Sequence, residues 1–370
     1  MTGENAMQGR ELVERTLRGE SHGSHAFWVG HPTAEAMQLY RERLGLTERE
    51  KSTLELHNEE SSVLLCDQVD DREIEFDRRI GSDMVWITPE LDMGAWKHPE
   101  GRPMWDCFRG KRESLGAAGI FADCEDTAEV DAFPWPNPDY LDFSGTEFNT
   151  RLAWDRGFAV FGGMWCPFFH IVADFFGMEN YFVKMYTDPE VVHAVTRHVV
   201  DFLLEANRRC LTRTAGKLSA GFFGNDFGTQ ISTLIGLDSF DEFLLPYIRE
   251  IIATIQAWGL PVAVHSCGAI EPLIPRFLDA GVNILHPLQA RARGMDAETL
   301  SAKYRGKVIF MGGVDTQELL PFGKPAQIRD EVLRLRDVFG SGYIVSPSHE
   351  ALLPCVPFEN VVAMSEAAKE

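Results

Sequence analysis

Positive charge is scarce in this chain. Lys and Arg number 35 against 56 Asp and Glu, a formal net charge of −21 over 370 residues. A protein that tracks a nucleic-acid backbone needs a basic stripe or patch. The short cluster at Arg291 and Arg293 is too small to supply one, so a nucleic-acid partner is not expected. Long apolar runs are also missing. No stretch reaches the roughly 18 uncharged apolar residues of a membrane span, and the opening MTGENAMQGRELVERTLRG has no apolar signal core. The expectation is a cytoplasmic protein without a membrane partner. The seven cysteines are dispersed, which excludes a disulfide scaffold. There is no GxGxxG after the first strand, no Walker loop and no GxSxG elbow, so dinucleotide binding, phosphate cradling and a hydrolase nucleophile lack sequence support. Tandem repeats and low-complexity linkers are absent too.

What is present is a core-forming composition: 45% hydrophobic and 25% charged residues. Short apolar runs recur near residues 26, 85, 160, 221, 263, 284, 309 and 344, most of them separated by helical patterns. Such runs read as parallel strands buried on both faces. Eight strand–helix units predict an α/β fold, a (β/α)8 TIM barrel in one domain over residues 1–370; a doubly wound open sheet is the alternative. Residues 91–142, rich in Gly, Pro, Trp and Asp, read as an irregular N-terminal excursion, with an antiparallel hairpin around 104–122.

In a parallel barrel the strand C-termini share one face and carry the site. Four late strands end in polar groups: His265, Ser266 and Cys267; His286 and Gln289; Asp315 and Gln317; and Ser346, Ser348, His349 and Glu350. Earlier strands add His31, Glu90, Trp165, His170, Asn225 and Asp226. The HSCG spacing can aim His265 and Cys267 at one ion, and imidazole with thiolate suits zinc. Cys355 lies in a loop able to fold back over the same mouth. The competing reading is a hydrogen-bonded histidine beside buried thiols. Asp226 and Glu350 are fourth-ligand or substrate-contact candidates. Asp315 reads either as a partner for His265, His349 or substrate, or as a loop-capping carboxylate. His349 is placed in the pocket, and His31 could instead cap a turn. The aromatic FGGMWCPFFH around Trp165 reads as pocket lining or as barrel core.

The stretches VHSCGAIEPLIPRFLDAGVNILHPLQ, GMDAETLSAKYRGKVIFMGGVDTQELLPFG, GYIVSPSHEALLPCVPFENVVAM and GNDFGTQ resemble the uroporphyrinogen decarboxylase-like superfamily of (β/α)8 barrels. The nearest resemblance is to its corrinoid-linked methyltransferase branch. The decarboxylases hold porphyrinogen carboxylates with an arginine-rich N-terminal segment; AFWVGHP stands here without arginine. The resemblance implies zinc held by His265, Cys267 and Cys355. It implies methyl transfer from a small ether or amine donor to the cobalt of a corrinoid carrier protein. No DxHxxG motif occurs, so the corrinoid is expected on a partner. Asp226, Asp315 and His349 are then the expected catalytic groups, and His31, Glu90, Trp165, Asn225, Gln289 and Glu350 the substrate contacts. Transfer from a methylcorrinoid to a thiol or folate, and a decarboxylase-like lyase or hydrolase without corrinoid, are the alternatives. Homodimer formation is left open.

Overall fold

Alternation along each hydrophobic run decides which side chains face the barrel axis and which face the surrounding helices. In the computed structural model, which describes residues 9–20, 23–46, 71–89, 94–108 and 116–370, the eight runs form eight strands. They are β1 (Ala26–Phe27), β2 (Met84–Ile87), β3 (Ala159–Gly162), β4 (Ala220–Gly224), β5 (Val262–His265), β6 (Ile284–His286), β7 (Ile309–Val314) and β8 (Tyr343–Pro347). Every pairing is parallel, in the order β1-β8-β7-β6-β5-β4-β3-β2. The expected α/β barrel is therefore present, preceded by extra N-terminal helices.

The seam between β1 and β2 is bridged rather than laddered. Asp83 N–H donates to the Phe27 carbonyl at 2.8 Å, and the Asp83 carboxylate accepts from Phe27 N–H at 2.7 Å. Lys369, from the last helix, pairs with the same carboxylate. Burial still holds the Asp83 carboxyl above the usual range, and Lys369 and the Phe27 N–H offset part of that cost.

Period-2 alternation divides the core into two shells. Phe27, Val160, Phe223, Val264, Leu285, Phe310 and Val345 pack outward against helices. Ala26, Trp28, Met84, Trp86, Ala159, Phe161, Ala220, Phe222, Ala263, Ile284, Met311 and Ile344 fill the axis. Leu12 and Val13 of the N-terminal helix Gly9–Leu17 join this inner shell. The inner positions change character along the axis. Ala26, Met84, Ala220, Ala263, Ile284 and Ile344 are aliphatic, whereas two residues on stand Trp28, Trp86, Phe222, His265, His286 and Ser346. The barrel turns aromatic and polar toward its C-terminal mouth.

The irregular excursion has less order than expected. No strand forms among the described residues of 104–122; a single backbone bond, Ile120 N–H to the Cys107 carbonyl at 3.0 Å, links its two sides. Glu90 lies outside the described residues. No described helix is long and apolar enough to cross a membrane.

Candidate metal centre at the barrel mouth

His265 is the last residue of β5 and its parity points the ring into the barrel, where it is almost fully buried. Its two nitrogens face different groups. Nε2 lies 3.2 Å from Asp226 Oδ1 and 3.4 Å from Cys267 Sγ. Nδ1 lies 3.1 Å from His286 Nδ1 and 3.6 Å from Glu350 Oε2. The ligand atoms of Asp226, His265 and Cys267 all fall within 4.8 Å of one another, as do those of His265, His286 and Glu350.

Backbone geometry holds the first of these groups. Cys267 N–H donates to Asp226 Oδ1 at 3.0 Å, tying the β4 loop to the β5 loop. Asp226 N–H donates to His170 Nε2 at 3.0 Å, and Phe227 N–H to Ser266 Oγ at 3.0 Å. Gln289 Oε1 accepts from Gly268 N–H at 3.0 Å and from the Gln230 amide at 3.2 Å. The turn needs glycine: Gly268 has φ +88°, and a Cβ there would run into the Gly228 backbone. At the end of β4, a Cβ on Gly224 would overlap the Trp165 ring, so glycine lets that ring reach His265 at 5.1 Å between centroids.

The electrostatics follow from this packing. Burial opposes charge on His265, yet Glu350, Asp226 and Cys267 hold its pKa well above the ordinary imidazole value. Burial works against ionised Asp226, but the His265 ring and the Cys267 N–H keep its carboxyl well below the usual range. Burial pushes the Cys267 thiol up to about 11. His286 is driven down by burial and by neighbouring His265, His349 and His31. Burial brings His31 down to about 4, which leaves it neutral near pH 7.

Three donors of nitrogen, oxygen and sulfur chemistry suit a zinc-like ion. With bonds of about 2.0–2.3 Å, ligand atoms on one tetrahedral ion stand roughly 3.3–3.7 Å apart. The 3.2 and 3.4 Å separations around His265 Nε2 are within a few tenths of that. Glu350 Oε2 is buried with no hydrogen-bond partner among the described residues, and the His265 and His349 rings stand 3.6 and 3.7 Å from it.

The other expected site residues divide. Trp165 and His31 line the mouth, and Glu350 sits on its rim. His349 is partly exposed at that rim; its Nδ1 accepts from Ala351 N–H and stands 3.7 Å from Glu350 Oε2. Asp315 spends its oxygens on Arg291 Nε at 2.8 Å and on the N–H groups of Gln317, Glu318 and Leu319, the capping arrangement. Asn225 is a brace: its Oδ1 accepts from Phe169 N–H at 2.9 Å and its Nδ2 donates to the Cys166 carbonyl at 3.1 Å. Cys355 is exposed, near Tyr40, and belongs to neither ligand group. Trp28, Trp86 and Phe222, which sequence reasoning did not single out, complete the mouth. Their signal was parity: each stands two residues after a small or aliphatic inward residue.

The uroporphyrinogen decarboxylase (URO-D) family model matches residues 150–370, well over half of the chain. This chain belongs to the URO-D family. Among similar curated proteins, a methylated-thiol–coenzyme M methyltransferase of Methanosarcina mazei is 26% identical over 215 residues, covering 55% of this chain and 51% of the relative. A uroporphyrinogen decarboxylase of Chlorobium limicola is 25% identical over 225 residues, covering 56% and 58%. The chain thus spans little more than half the length of these relatives. A solved methyltransferase structure from Methanosarcina mazei superposes with a TM-score of 0.67 over 98% of both chains, at 12% identity, and shares the fold. The URO-D match covers β3 to β8 and so includes every residue of both ligand groups.

Proposed function

We propose that this chain is a zinc-dependent methyltransferase, moving a methyl group from a small ether or amine donor to the cobalt of a corrinoid carrier protein. The observation that carries the reading is the Asp226–His265–Cys267 donor set at the mouth of a barrel whose relatives include a methyltransferase. A bound zinc ion would supply Lewis acidity toward a lone pair on the substrate. Cys267 and His265 would hold it from β5, and Asp226 would add a carboxylate from the β4 loop. His286 and Glu350, against His265 Nδ1, would fix the ring's orientation and tautomer. Trp165 and His31 would exclude water from the donor. His349, on the rim, would contact the donor's distal part. Asp315 would act at one remove, holding Arg291 and the β7 loop in place. The open face must admit the corrinoid, since polar strand ends here converge on one accessible mouth.

A second reading runs in the other direction, from a methylcorrinoid to a thiol. The named activity of the Methanosarcina mazei relative favours it, and the same donor set would then lower the pKa of a thiol acceptor. Porphyrinogen decarboxylation is disfavoured by AFWVGHP, which offers no arginine to substrate carboxylates.

Incubation of zinc-loaded protein with cob(I)alamin and a panel of methyl ethers and methylamines tests the proposal. The expected result is the methylcob(III)alamin spectrum with at least one donor, lost in Cys267→Ser. Methyl transfer that proceeds unchanged without corrinoid, or only from methylcobalamin to thiols, would overturn the direction proposed.

A further inference from the structure

We propose that His170 is a positioning residue for the metal centre: its Nε2 accepts the backbone N–H of Asp226 and so sets where the Asp226 carboxylate stands against His265 and Cys267. The consequence for zinc rests on the metal-centre reading above; the hydrogen bond and the tautomer it demands do not.

The β3 and β4 loops are fastened residue by residue. The Trp165 carbonyl accepts from Gly224 N–H at 2.9 Å, and the Cys166 carbonyl from Asn225 Nδ2 at 3.1 Å. Asn225 Oδ1 accepts from Phe169 N–H at 2.9 Å, in the first turn of the helix Phe168–Phe176. That helix opens on Pro167, which supplies no side-chain cap, so the β4 loop satisfies one of its free N–H groups. Phe169 also packs on Phe227 at 5.4 Å between ring centroids. The series ends at His170, whose Nε2 accepts from Asp226 N–H at 3.0 Å. Of these bonds, only the last reaches a candidate ligand. His170 itself belongs to neither ligand group.

An amide N–H can only donate. The Nε2 that receives it therefore carries no proton, and the neutral ring holds its proton on Nδ1. Asp226 Oδ1 lies 3.0 Å from the Cys267 backbone N and 3.2 Å from His265 Nε2. Both separations depend on where the Asp226 backbone sits, because an aspartate side chain is short and has little reach of its own. Without the acceptor, a part-buried N–H has no partner. The loop then gains by turning that N–H toward water, and the carboxylate moves with it.

Two measurements on the full-length protein test the role. The first is zinc affinity, read by competition with a chelator, in variants whose metal-free melting profile is unchanged. Groups that orient metal ligands typically govern affinity by about ten- to a hundredfold, so His170→Leu is expected to bind zinc at least about tenfold more weakly, and His170→Gln, whose amide oxygen can take the place of Nε2, to stay within about threefold. Should the leucine variant fail to fold, His170→Asn, whose shorter amide does not reach Asp226 N–H, replaces it with the same expected loss. The second is the nitrogen spectrum of the histidine rings in labelled, metal-free protein, where His170 is expected as the Nδ1–H tautomer. A protonated Nε2, a folded His170→Leu with unaltered zinc affinity, or a His170→Gln that loses as much as His170→Leu overturns the inference. Wild-type protein that binds no zinc overturns the metal-centre reading together with this role; wild-type binding with unmoved variants overturns the role alone.

Discussion

At the scale of single residues, His265 joins the two ligand groups, one through each ring nitrogen. Without metal, the carboxylates around it hold its pKa well above the ordinary value, and Cys267 is pushed up to about 11. Both are therefore protonated at neutral pH, while Asp226, held low, is already ionised. A metal must displace a proton from the imidazolium and another from the thiol. Zinc uptake at pH 7 is expected to release about two protons per ion, so affinity should rise with pH by up to about a hundredfold per unit. Metal titrations in buffers of differing ionisation enthalpy check this. Proton release near zero would mean that the ligand set lies elsewhere.

At the scale of elements, the site depends on how closely the β4 and β5 loops approach. The Cys267–Asp226 bond and the Ala269 N–H to Thr229 carbonyl bond at 2.7 Å run between them, and glycine backbone fills the crossing. Gly268→Ala would place a Cβ against Gly228 in a left-handed backbone conformation that resists a side chain. The expected cost is about 1–3 kcal/mol of stability, together with at least a tenfold loss of zinc affinity as Cys267 moves away from Asp226. Denaturant unfolding and metal titration on the same preparation measure both. A stable variant with unaltered metal affinity would show that the loop contact does not position the centre.

At the scale of the whole molecule, much was legible in the sequence. Eight apolar runs separated by helical patterns announce eight buried parallel strands, and each formed where its run lies. His265 and Cys267 could be paired from HSCG because two positions at a strand end stay local. The rest required closure of the barrel. Asp226 and Glu350 come near His265 only because β4 pairs β5 and because β8 returns its loop to the mouth across β1. Spacing along the chain contains neither fact. Asp315 and Asn225 illustrate the converse: polar residues at strand ends are also what loops use to satisfy their own N–H groups. Cys355 had sequence position in its favour, but the chain between β8 and the final helix Phe358–Lys369 leaves it exposed near Tyr40.

X-ray absorption at the zinc edge of the loaded protein is the most direct test of a metal centre assembled from Asp226, His265 and Cys267. The predicted spectrum has a single sulfur at about 2.3 Å, with nitrogen and oxygen neighbours at about 2.0–2.2 Å. Two sulfurs, with one lost in Cys355→Ser, would contradict this ligand set and recruit the outer loop. A shell without sulfur would move the ion to the His286 and Glu350 side of His265.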